Sequence, residues 1–161
     1  MKLKVCIVLL CISGILKAQI TINEIMPCNV SAVWDDGYNY SMWVEIYNSS
    51  DHDINQSQYF FTDNPDEPLK WRLPNTTIQS GGFNLVWMEK PEMINHSTFK
   101  LNPEGGSLFL VAENGTVIDE LSYPRQFRNI SYGRVSELSE NWIFFDEHTA
   151  GISNLKSSGS F

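Results

Sequence analysis

Ser107-Leu108-Phe109-Leu110-Val111-Ala112, then Glu113-Asn114-Gly115-Thr116, then Val117-Ile118-Asp119-Glu120-Leu121-Ser122-Tyr123, is the stretch that decides the fold. Two apolar runs of strand length flank an Asn-Gly pair, and Asn-Gly accepts the positive φ of a type I′ hairpin turn. The same grammar repeats outward from this hairpin. Gly, Pro, Asn and Asp punctuate short apolar runs about every 8–12 residues, the spacing of a sandwich or barrel. The expected strands are Gln19–Met26, Met42–Tyr47, Gln58–Thr62, Leu69–Leu73, Gly82–Met88, Ser107–Ala112, Val117–Tyr123, Ile130–Arg134 and Trp142–Phe145. Trp34–Ser41 and Glu89–Thr98 are the longer loops. No long helix is expected.

The 161 residues suffice for one domain with a real core. Lys2 and Lys4 precede an apolar run from Val5 to Leu16, and Leu16-Lys17-Ala18 places a small residue at a cut site. That is the layout of a secretory signal peptide over 1–18, with Gln19 as the mature N-terminus. The 12-residue run is well below the roughly 20 that a membrane span needs. Lipidation at Cys11 is not expected, because Leu9-Leu10 precede it instead of small residues. Cys28 is then the one mature cysteine, read as a small buried hydrophobe. The expected domain spans 19–150, and 151–161 reads as a flexible tail without apolar anchors.

Cleavage removes three lysines and leaves 8 basic against 19 acidic residues, a balance of −11. Such a field repels phosphate backbones and anionic lipid, so neither a nucleic-acid partner nor membrane insertion is expected. In Trp43-Val44-Glu45-Ile46-Tyr47 the alternation sends Val44 and Ile46 to one face and Trp43, Glu45 and Tyr47 to the other. Both faces carry bulk, as in a central strand whose outer side a loop covers. Trp71, Trp87 and Trp142 fall within strands and read as core, with Trp87 expected buried beside Val86 and Leu85 in a central strand.

Several segments together resemble bacterial lamin tail domains. They are Ile22-Asn23-Glu24-Ile25-Met26, Trp43-Val44-Glu45-Ile46-Tyr47-Asn48, Lys70-Trp71-Arg72-Leu73-Pro74, Ile78-Gln79-Ser80-Gly81-Gly82-Phe83, Gly115-Thr116-Val117-Ile118-Asp119 and Ile130-Ser131-Tyr132-Gly133-Arg134. The resemblance covers about 20–154. It implies an all-β, immunoglobulin-like sandwich, here of seven to nine strands, used as an accessory or interaction module on exported proteins.

Catalytic motifs are wanting. There is no Gly-x-Ser-x-Gly elbow, Cys28 has no Cys-His context, and His52, His96 and His148 sit on expected loops as solvated residues. Glu24 shares parity with Ile20 and Ile22, and Glu45 lies on a strand that neighbours it in many sandwiches. Two close carboxyls could serve glycoside hydrolysis, but the expectation is that hydrogen-bond donors make them structural acceptors with depressed pKa values. Asp35-Asp36-Gly37 and Asp63-Asn64-Pro65-Asp66-Glu67 could offer oxygens to calcium but read as turns. Asn-x-Ser/Thr triplets begin at Asn29, Asn39, Asn48, Asn55, Asn75, Asn95, Asn114 and Asn129. With 14 Asn and 24 Ser/Thr in the chain, chance predicts about two such triplets. Glycan acceptors and turn residues both fit them. The reading is an exported, non-enzymatic module with no cofactor or metal, binding a protein or glycan at the cell surface or in the periplasm. A Glu24/Glu45 hydrolase and a structural component of an extracellular assembly are its rivals.

Overall fold

The computed structural model describes residues 19–89, 93 and 96–156. The expected signal peptide and part of the Glu89–Thr98 loop lie outside the described residues, as does the end of the expected tail. Eleven strands follow in chain order: β1 Ile20–Met26, β2 Trp43–Asn48, β3 Ile54–Asn55, β4 Tyr59–Thr62, β5 Trp71–Arg72, β6 Thr77–Ile78, β7 Phe83–Trp87, β8 Gly106–Ala112, β9 Val117–Tyr123, β10 Ser131–Arg134 and β11 Trp142–Phe145. One sheet has the order β11-β10-β1-β2-β7, another β5-β4-β8-β9, and β3 pairs with β6. Every ladder is antiparallel.

The fold is all-β, as expected, with two strands more than the upper bound of the sequence reading. The extra pair, β3 and β6, is two residues long on each side, too short for a period-2 signal. It still delivers Ile54 and Ile78 to the core. That core lies between the two main sheets. Ile20, Ile22, Ile25, Val44, Ile46 and Val86 meet Phe61, Leu108, Leu110 and Leu121 across it. Burying one such side chain contributes roughly 1.5–3 kcal/mol.

The central hairpin forms where expected, with a different turn. The Gly115 N–H donates to the Ala112 carbonyl, and the Ala112 N–H donates to the Thr116 carbonyl. Gly115 alone takes a left-handed φ, +83°, so the turn is not type I′, which would demand positive φ at both Asn114 and Gly115. The Asn114 side chain instead accepts the Thr116 N–H. The register slips between Leu110 and Val111, which absorbs the twist this turn imposes.

A second bulge, in β1, matters more for chemistry. Ile22 pairs with Ile46 and Glu24 with Glu45, leaving Asn23 as the extra residue. The bulge frees the backbone groups of Ile22. Its N–H donates to Asp119 Oδ2 at 2.8 Å, and its carbonyl accepts from Arg134 Nε at 2.8 Å. Arg134 closes the circuit with a bidentate pair to Asp119 at 2.9 Å on both oxygens. Strands β1, β9 and β10 are thus locked at one end of the sandwich by groups that would otherwise be orphaned.

The outer face of the five-stranded sheet is covered too. Met26, Trp43 and Trp87 form a second apolar cluster, roofed by Ala32, Val33, Leu85 and Ala150. Trp87 is buried, but β7 ends its sheet, so the expected central position is corrected to an edge. The expected flexible tail also needs correction at its start. Asn154, 2% exposed, donates to the Arg134 carbonyl at 2.6 Å and accepts from Asn23 Nδ2 at 2.8 Å. A short 3-10 helix at Asn154–Lys156 follows. Polar anchoring does here what the missing apolar residues could not.

Candidate functional site

The bulge at Asn23 decides where the two glutamates go. Because it resets the alternation, Glu24 leaves the face of Ile20 and Ile22 and stands beside Glu45 on the outer side. Both are fully buried. Gly133, opposite Glu24 on β10, makes room. A methyl there would sit 3.0 Å from Glu24 Cγ and 2.9 Å from the Phe145 ring.

A strap formed by 148–154 seals the pair. Thr149 donates to Glu24 through its hydroxyl at 2.6 Å and its backbone N–H at 3.1 Å. Asn23 Nδ2 donates to Glu45 Oε1 at 2.8 Å, and the Gly151 N–H donates to Oε2. The sequence reading expected these donors to depress both carboxyls. Burial wins instead. It pushes Glu45 up to about 8 against the donors, with the neighbouring Glu24 adding to the rise. Burial likewise raises Glu24 over the opposing bonds from Thr149. A raised carboxyl is what a general acid needs, but a general acid must also touch its substrate. These two are enclosed by the strap and by strands β1, β2 and β10.

The acidic loops are turns. Burial alone would raise the Asp35 carboxyl, but bonds from Ser41, Asn39 and Gly37 outweigh it and hold the group below its ordinary range. Its Oδ1 accepts the Gly37 and Asn39 N–H groups at 2.8 Å. At the other loop Asp63 pairs with Lys70, Asn64 accepts the Asp66 N–H, and its carbonyl accepts the Glu67 N–H. Among the described residues no group of three His, Cys, Asp or Glu is arranged to hold a metal.

The triplet asparagines show why the motif is so frequent. Asn48, Asn55 and Asn114 each accept the N–H two residues on, the spacing that Asn-x-Ser/Thr supplies. Asn29 accepts from Ala32 and Val33 and donates to the Val33 and Ser41 carbonyls, fixing the start of its loop. Asn29 and Asn48 are buried. Cys28 is a free thiol of intermediate exposure, its Sγ 3.9 Å from the Gln126 carbonyl. His52 is exposed and His148 packs edge-on to Trp43. His96 departs from the expected solvated loop. It stacks on Trp87 at 6.3 Å, bonds the Glu89 carbonyl at 2.7 Å and is 4% exposed.

Exposed aromatics gather on the Trp34–Ser41 loop, which sequence reasoning marked as long and acidic but not as aromatic. Trp34 is 59% and Tyr38 82% exposed, while most other tryptophans and tyrosines are at least partly packed. Ring centroids lie 6.3 Å apart for Trp34–Tyr38 and 5.9 Å for Trp34–Tyr40. The density of aromatics in a loop was the available signal. Asp36, between them, lines a polar cleft of about 260 Å³ with Gln56, Thr76, Asn84 and Trp87.

The sandwich thus carries an exposed aromatic loop and a sealed pair of carboxyls. The family model of the Lamin Tail Domain matches residues 16–125, well over half of the chain. The chain belongs to the lamin tail domain family. The match ends before β10, β11 and the strap; β10 pairs onto β1 of the matched region, and β11 pairs onto β10. Both the aromatic loop and the cleft fall inside the matched region. Comparison with curated proteins returned no match.

Proposed function

We propose that this lamin tail domain is an exported, non-enzymatic interaction module that engages a protein or glycan partner through the loop face of Trp34, Tyr38 and Tyr40. One observation carries the reading: large aromatics that elsewhere among the described residues are mostly packed stand here together in solvent. Clustered exposed aromatics are the residues that dominate binding energy in recognition surfaces. The loop is also rigidly built. Asp35 accepts the Gly37 and Asn39 N–H groups and Asn29 holds the Ser41 carbonyl, so little ordering entropy remains to be lost on binding.

Export is supported by the layout of residues 1–18 and by the acidic balance of the remainder, which suits a soluble domain outside the cytoplasm. Absence of catalysis is supported by the strap over Glu24 and Glu45.

The test is binding of fractionated envelope glycans and envelope proteins to immobilised wild type, Trp34→Ala and Tyr38→Ala. Loss of a hot-spot aromatic costs about 2 kcal/mol or more, some 30-fold in affinity. Melting temperatures should be unchanged, because both side chains are exposed. Binding that survives both substitutions at full affinity would refute the loop as the recognition surface.

A further inference from the structure

The cleft beside the aromatic loop holds an unusual donor. Gln56 opens a short 3-10 helix at Gln56–Gln58, is fully buried and lines the cleft. Its Oε1 accepts from Asn84 Nδ2 at 3.0 Å, but its Nε2 has no hydrogen-bond partner. Buried amide donors are rarely left unpaired, because desolvation without a replacement bond is costly. Its neighbours in the cleft are an exposed carboxylate at Asp36, a hydroxyl at Thr76 and the ring of Trp87. Their positions come from three separate segments, and β7, which carries Asn84 and Trp87, is the last strand of its sheet.

We propose that this cleft is a sugar subsite, in which Gln56 Nε2 donates to a ring hydroxyl or glycosidic oxygen while Asp36 accepts from neighbouring hydroxyls. This deepens the module reading and rests on it, with Trp34 and Tyr38 extending the site along the same loop. The chemistry favours an uncharged or amino sugar over an acidic one. The cleft supplies a carboxylate and amides but no Lys or Arg, and the chain as a whole is acidic. The volume, below the roughly 300–1,000 Å³ of sites for drug-sized molecules, suits a single ring. Paired donors and acceptors on vicinal hydroxyls are complementary to a pyranose. They are poorly complementary to an apolar peptide side chain.

The experiment uses the full chain and an array of neutral and N-acetylated oligosaccharides: gluco-, manno-, galacto- and N-acetylglucosamine series. The best binder is then titrated in solution with tryptophan fluorescence as the readout. Gln56→Met removes the unpaired donor while conserving length, and Asn84 keeps its bond to the Leu85 carbonyl. This variant should melt no lower than wild type yet bind at least tenfold more weakly. Asp36→Asn, at an exposed position, should weaken binding severalfold without a change in melting. Sugar binding lost in Trp34→Ala but unaltered in both Gln56→Met and Asp36→Asn would overturn the subsite and leave the aromatic-loop reading standing. If no sugar binds while a protein ligand depends on Trp34, the subsite again falls and the module stands. A Gln56→Met chain that fails to fold would shift the decision to Asp36→Asn and Thr76→Val, whose unchanged affinity would overturn the proposal.

Discussion

Replacing Trp43 by alanine should remove about 3–5 kcal/mol of stability, a large share of what a domain of this size possesses. Trp43 is fully buried between Met26 and Trp87, beneath Val33 and Ala150, so truncation opens a void that rigid strands on both sides cannot close. Trp87→Ala should cost less. Trp87 is 9% exposed on edge strand β7, and its removal leaves a site that solvent and the His96 ring can partly refill. The two indoles occupy directly opposed register positions, so the double variant should lose less than the sum of the singles. Urea unfolding of the three variants decides it. A Trp43→Ala protein that unfolds at the wild-type midpoint would show that the outer face of the sheet is not a second core.

Stability should fall as pH rises through neutrality, and Glu45 should be the main cause. Its carboxyl is lifted from an ordinary 4.5 to about 8 by burial. Below the unfolded value both states hold the proton and the group is neutral with respect to stability. Between about 4.5 and 8 the unfolded chain ionises while the folded one retains its proton, so each unit of pH removes up to about 1.4 kcal/mol. Above that window the loss is complete. Glu24, raised by the same burial, adds to this direction, and the two carboxyls titrate as a coupled pair. Asp35 acts oppositely. Its lowered pKa gives stability that is lost only as pH falls through the acid range, below its ordinary 3.8. Glu45→Gln stays neutral throughout. It should be about 1 kcal/mol less stable than wild type near pH 5, because one of the Asn23 and Gly151 donors loses its acceptor. Near pH 8 it should be the more stable protein. Melting curves of the two against pH must therefore cross, and parallel curves would show that the pair ionises freely in the fold.

Much of the architecture was legible because it rests on local patterns. The Asn114-Gly115 turn, the alternation in Trp43–Tyr47 and the run at Phe83–Trp87 each encode a strand or turn without reference to distant residues. What escaped has a common physical origin. The direction of Glu24 depends on one extra residue at Asn23, and a bulge inverts every parity argument beyond it. That Trp87 sits on an edge follows from which strands pair, a long-range choice absent from its own segment. Asn154 docks through hydrogen bonds to Asn23 and the Arg134 carbonyl, so a search for apolar anchors passes over it. His96 looked solvated because its partners, Trp87 and the Glu89 carbonyl, come together only on folding. The pKa error at Glu24 and Glu45 came from weighing donors without the depth of burial, which the strap supplies from over a hundred residues away in sequence.

The proposed recognition surface is the loop face, and it can be marked directly. Oxidative footprinting with mass spectrometry, on the protein free and saturated with a captured ligand, reports the solvent access of individual aromatic side chains. Trp34, Tyr38 and Tyr40 should lose most of their reactivity on binding, while Phe127, packed on Phe144 of β11, stays as reactive as in the free protein. Protection confined to Phe127, or to the 148–151 strap, with Trp34 and Tyr38 as reactive as before, would contradict the account.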